Sequence, residues 1–185
     1  LERRVIEYLD KEVKVPFRDL TVLLVSGTDR FGMAEALAET GTNLVLGDLI
    51  FVLGLSIPIR SMAGLDRVAR VAAPIVCRLP FSMIYPTGEK QEHHKVDPKK
   101  AKWYETSDII AGDWHYVIKW MPEDMRGKSI ITNTTTEEDV ADLKRRGVST
   151  LITTTPELDG RSFGTNVMEG VVVSLLGKRP EEITP

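Results

Sequence analysis

At 185 residues, with 42% hydrophobic and 28% charged positions, the chain has ordinary globular composition and enough length for one buried core. A formal net charge of −3 and a pI near 5.7 argue against a nucleic-acid-binding surface, which needs clustered Lys and Arg to meet phosphates. The single cysteine, Cys77, excludes an intrachain disulfide and, with no signal-peptide pattern, predicts a cytoplasmic setting; the longest apolar runs, 49–55 and 171–176, are far too short for a membrane span.

The chain opens on Leu1-Glu2-Arg3-Arg4, already in a helical pattern, and closes on Glu181-Glu182-Ile183-Thr184-Pro185, a helix start without a continuation. The expectation is a single domain, 1–185, excised from a longer chain. Val5, Ile6 and Leu9 predict a lead-in helix ending before Pro16. Thr21 to Val25 reads as a strand buried on both faces, Met33 to Thr40 as a helix stopped at Gly41, and Asn43 to Leu46 as a second strand. This is the minimal parallel β-α-β crossover. A helical continuation is expected over 49–55 and a helix over 61–73.

Residues 78–98, rich in Pro, Gly and charge, predict a lid loop. The alternation then resumes. Strands are expected at 108–111, 129–132 and 150–153, with helices at 122–125, 137–146 and 166–176. The fold class is therefore α/β, a Rossmann-like three-layer α/β/α sandwich with a mostly parallel sheet.

The first turn carries the most specific signal. Gly27-Thr28-Asp29-Arg30-Phe31-Gly32 overlays the dinucleotide fingerprint G-x-G-x-x-G, with Asp29 in place of the middle glycine. In this reading Gly27 makes the tight turn, Gly32 allows close helix–strand packing, and Thr28 and Arg30 join the helix amides around a pyrophosphate. Asp48, 21 residues after Gly27 at the end of the second strand, stands where an acidic residue accepts from the adenosine ribose and repels a 2′-phosphate. NAD is thus expected over NADP. The plainer alternative has the glycines merely shaping the turn and Asp29 capping the helix. Met33 occupies the place of the Walker A lysine, which excludes a P-loop.

Three residues are candidate catalysts. Lys90, beside Glu89 in the lid loop, is a proton-transfer group if desolvated. Asp113 and His115 lie two apart after a strand; in extended chain both project to one side as an acid–base pair, the alternative being a capping Asp113 and a structural His115. Asn133 and Thr154, in the clusters 133–136 and 153–155, stand at strand ends where a nicotinamide would lie. The turn 161–166 before the last helix can hold an anion. His93 and His94 are adjacent, a poor chelate, so no metal is assigned.

Ser26 to Gly32, Gly47-Asp48-Leu49-Ile50-Phe51, Arg78-Leu79-Pro80-Phe81, Tyr85-Pro86-Thr87-Gly88-Glu89-Lys90-Gln91, Thr132-Asn133-Thr134 and Thr154-Thr155-Pro156-Glu157-Leu158 together resemble a bacterial family labelled quinate 5-dehydrogenase. The resemblance runs through Arg161 to Asn166 and on to Gly177-Lys178-Arg179-Pro180, covering the whole chain. It implies a nicotinamide-binding domain preceded by a further region. The implied activity is hydride transfer between NAD(P) and a hydroxyl of a cyclic polyol carboxylate. In shikimate and quinate dehydrogenases the catalytic Lys and Asp belong to the N-terminal substrate domain, so no position here inherits them. Those enzymes also have a glycine where this chain has Asp29.

The leading expectation is the cofactor domain of an NAD(P)-dependent oxidoreductase acting on a small hydroxylated acid. The expected partner is that small molecule, not nucleic acid or membrane, with a homo-oligomer left open. Two alternatives stand beside it. One is a non-enzymatic Rossmann-like module that senses a nucleotide or metabolite. The other is a transferase or lyase using Arg30, Arg78 and Arg161 to bind a phosphorylated substrate.

Overall fold

Apolar side chains alternate from one face to the other along every strand of the central sheet, so the sheet needs cover on both sides. The computed structural model, which describes residues 1–76, 78, 97–177, 179 and 182, supplies it with helices. In chain order the elements are α1 (Glu2–Lys11), β1 (Thr21–Leu24), α2 (Phe31–Thr40), β2 (Asn43–Leu46), α3 (Met62–Val76), α4 (Pro98–Glu105), β3 (Ile109–Ala111), α5 (Trp114–Trp120), β4 (Ser129–Thr132), α6 (Glu137–Arg145), β5 (Thr150–Thr153), β6 (Glu157–Leu158), β7 (Arg161–Ser162) and α7 (Thr165–Leu176).

Five strands form one parallel sheet in the order β2-β1-β3-β4-β5. Val22 and Leu24 of β1, Leu44 and Leu46 of β2, and Ile109 and Ala111 of β3 point into one core with Ile6 of α1, Met33 and Leu37 of α2 and Leu65 of α3. Their neighbours Leu23, Val25, Val45 and Ile110 point into the other, against Tyr104 of α4, Trp114 and Val117 of α5 and Leu143 of α6. This is the three-layer α/β/α sandwich expected from the sequence. The chain reverses its direction of growth between β1 and β3. That makes their carboxyl ends the topological switch point, where open parallel sheets bind ligands.

Several elements depart from expectation for identifiable reasons. The continuation at 49–55 is a single wide π-type turn, Asp48–Val52, that tucks Ile50 and Phe51 into the second core. No helix forms at 122–125; the Pro122 carbonyl accepts from buried Arg146 instead. Two helices were not legible, α4 and α5, each begun by an aspartate whose side chain accepts an amide of the first turn, Asp97 from Lys99 and Asp113 from His115. The lid-loop expectation lies outside the described residues apart from Arg78 and from Asp97 and Pro98, which open α4; Lys90, His93 and His94 are outside them too. No helix among the described residues is long and apolar enough to cross a membrane.

The switch point demands a glycine. Gly112, just after β3, has φ +138°, and a Cβ there would sit 2.4 Å from Val25 Cγ2 on the adjoining strand. Gly112→Ala is expected to lower unfolding free energy by about 2 kcal/mol or more. Gly170→Ala, in open space on α7, serves as the control and should be neutral or mildly stabilising. Urea unfolding of the two variants measures the difference.

Candidate functional site

The first turn is closed from within. The Gly27 amide donates to Asp48 Oδ2 at 2.9 Å, while the Thr28 amide and hydroxyl donate to Asp48 Oδ1 at 2.8 and 2.7 Å. Asp48 is only 4% exposed, so its carboxylate is a clamp joining the ends of β1 and β2. The three donors take up the charge that burial would otherwise leave unsolvated. Gly32 lies exposed near Arg3 of α1 and packs against no strand.

Arg30, at the cap of α2, is held among carboxylates. One Nη reaches Glu2 of α1 and the other Asp113 Oδ2 at 2.7 Å, with Asp29 Oδ2 3.4 Å from Nε. The Arg30, Glu2 and Asp113 side chains are 15%, 14% and 9% exposed, so water screens these contacts weakly. Burial works against the Arg30 charge but is outweighed by Glu2, Asp113 and Asp29, which raise its pKa. Burial raises the Asp29 carboxyl above its usual range, opposed by Arg30 and reinforced by Asp113 and Asp48. The Tyr116 phenol is pushed up to about 12 by burial and by the same three aspartates. A phosphate at this turn would meet Asp29, Asp48, Asp113 and Glu2 around one guanidinium already paired.

Asp113 and His115 do not share one side of an extended chain. Asp113 is the cap of α5, its Oδ1 accepting the His115 amide at 3.0 Å, because Trp114 and Val117 bury one turn apart and pull the segment into a helix. Asn133 Oδ1 accepts the Trp114 amide at 3.4 Å. The threonines at the strand ends mostly fasten loops. Thr132 donates to the Gly112 carbonyl, Thr136 forms a reciprocal capping box with Asp139, and Thr155 donates to the Phe163 carbonyl. Thr154 is buried, and its hydroxyl has no hydrogen-bond partner among the described residues.

Beyond β3 and β4 lies a groove of about 620 Å³. One wall is α5, with Trp114, His115 and Ile118; the floor includes Thr134, Thr136 and Asp139, whose Oδ2 is taken by the Thr136 amide and hydroxyl; the opposite wall is Arg161, Phe163, Gly164 and Val167. Thr134 holds a left-handed backbone, φ +56°. Arg161 is presented by the β6–β7 hairpin, whose turn residues Asp159 and Gly160 have φ +51° and +73°, the type I′ combination. Gly160 leaves room for the Glu137 side chain, which a Cβ would overlap at 2.1 Å. Ser162 docks the hairpin: its amide donates to the Thr135 carbonyl, and its hydroxyl accepts the Thr135 amide at 2.8 Å. The Arg161 guanidinium pairs with no carboxylate among the described residues. The Asp-Gly pair was the readable signal for this hairpin.

The structure thus gathers Thr28, Asp29, Arg30, Asp48 and Asp113 into one network, places His115 in the groove, and leaves Thr154 outside its lining. Among the described residues no three His, Cys, Asp or Glu side chains converge as a metal site needs.

The chain matches the family described as a domain of unknown function, DUF8754, over residues 1–185, and it belongs to that family. Neither the curated proteins nor the solved structures yield a match to it.

Two substitutions test the first turn. Asp48→Asn replaces an acceptor by an amide and sets N–H against N–H, with an expected loss of about 2 kcal/mol in urea unfolding at pH 7, ligand or no ligand. Asp29→Asn should have the opposite sign. Because the folded pKa of Asp29 is raised, its ionisation costs stability above that pKa and nothing below the ordinary value of 3.8, so the variant gains on the parent at neutral pH and the gain vanishes at pH 3.

Proposed function

We propose that this domain binds a small organic anion in the groove beyond β3 and β4, with Arg161 as its counter-charge. The observation that carries the reading is the Arg161 guanidinium, which pairs with no carboxylate among the described residues, in a groove at the carboxyl edge of a parallel sheet. Its volume, about 620 Å³, is within the usual range for small-molecule sites. Ile118, Phe163 and Val167 offer apolar surface to the body of the ligand. Gly164, the residue before α7, supplies no side-chain cap, leaving the first amides of a twelve-residue helix to favour negative charge at the same end. Among the described residues His115 is the sequence-derived catalytic candidate that lines the groove, and it is the acid–base group if the ligand reacts there.

A nicotinamide dinucleotide, the cofactor of the dehydrogenase reading, ranks second. The reversal of the sheet between β1 and β3 favours it. Against it, Asp48 occupies the turn amides and Glu2 and Asp113 occupy Arg30.

Calorimetric titration with NAD, NADP, adenine nucleotides and a panel of hydroxy- and phospho-carboxylates separates the two. Binding of a carboxylate or phosphate that weakens at least about tenfold in Arg161→Ala, and is partly restored in Arg161→Lys, supports the groove. Dinucleotide binding that survives Arg161→Ala but is lost in Arg30→Ala would move the ligand to the first turn.

A further inference from the structure

We infer that Arg30, which lines no part of the groove, is a positioning residue that sets its width by tying the two walls together. The inference rests on the reading of the groove as the ligand site, but its geometry stands on separate contacts.

The two Nη atoms of Arg30 lead to opposite walls. One donates to Asp113 Oδ2 at 2.7 Å, and the other oxygen of the same carboxylate caps α5 through the His115 amide at 3.0 Å. The helix so capped lines the groove with Trp114, His115 and Ile118. The second Nη donates to Glu2 Oε1, and that oxygen also accepts from the Thr165 hydroxyl at 3.2 Å. Thr165 is the first residue of α7, flanked by the wall residues Gly164 and Val167. A continuous polar path therefore runs from α5 through Asp113, Arg30, Glu2 and Thr165 to α7.

This path matters because the two walls are anchored unequally. The α5 wall is fixed in the core by Trp114, Tyr116 and Val117. The α7 wall has no buried side chain along its whole length, so few apolar contacts oppose its displacement. Its start is held by polar links: Glu2 to Thr165, Thr155 to the Phe163 carbonyl, and Ser162 to Thr135. The planar guanidinium can serve both carboxylates at once with fixed geometry, whereas a lysine keeps the charge but lacks the fork.

The experiment reads the wall-to-wall distance without any ligand. Nitroxide labels are placed at Ile118→Cys and Val167→Cys in a Cys77→Ser background, and dipolar electron paramagnetic resonance is recorded for the parent, Arg30→Lys, Glu2→Gln and Thr165→Val. The expected result is a broader and longer distance in Arg30→Lys and Glu2→Gln, with a smaller change in Thr165→Val, while circular dichroism stays that of the parent. An unchanged distance in both Arg30→Lys and Glu2→Gln overturns the inference. Glu2→Gln is the conservative variant should Arg30→Lys fail to fold. The measurement uses no ligand, so failure of the groove to bind an anion leaves this result standing, and an unchanged distance leaves the binding result standing.

Discussion

Burial of β1 on both faces is the constraint from which the molecule follows. Val22 and Leu24 enter one core, Leu23 and Val25, the residue just after the strand, enter the other, and all four are fully buried. At about 1.5–3 kcal/mol for each such side chain, the strand has no stable place except mid-sheet with helices on either side. Hydrogen bonding to β2 and β3 in parallel completes that environment. The carboxyl ends of β1 and β3 are thereby brought side by side, where Gly112 permits their close approach and where the polar chemistry of the molecule collects.

That chemistry divides into a network whose charges are paired and a groove whose cation, among the described residues, is not. Around the first turn Asp48 accepts from two amides and a hydroxyl, and Arg30 bridges Glu2 and Asp113. Such a network fixes the entry of α2 and the start of α5, but it leaves little electrostatic appetite for an incoming anion. The groove beyond β4 is different. Its hairpin is fastened by Ser162 and Thr135, which leaves Arg161 lining the cavity with no carboxylate partner among the described residues.

The architecture was legible because its signals are local. The run 21–25, the helix stop at Gly41, and the alternation from 129 onward each reflect burial period or backbone geometry that one sequence displays. Trp114 to Trp120 was not legible as a helix because its aromatic and β-branched residues suit a strand equally well; the Asp113 cap and two-sided burial decide the matter only in the fold. The site was less legible still. Asp48 in the ribose position and Asp48 as a turn clamp are the same letter at the same spacing, and which way the carboxylate faces depends on how closely β1 and β2 end. Likewise the pairing of Arg30 with Glu2 joins residues 28 apart through packing of α1 on α2, which no local pattern announces. Arg161 lay in a turn already marked for anions, yet its exposure to a cavity depends on a hairpin whose Asp-Gly turn passed unread.

Thr134 gives the groove a built-in tension. A β-branched residue in left-handed backbone carries a conformational cost on the order of 1 kcal/mol, and here it stands on the cavity floor. Asparagine or glycine would relieve that cost while replacing a side chain that lines the floor. Thermal hardiness and snugness of fit therefore oppose each other at this position. Directed evolution for heat tolerance alone would be drawn away from threonine there, and the cavity would lose its contour as the fold gained resilience.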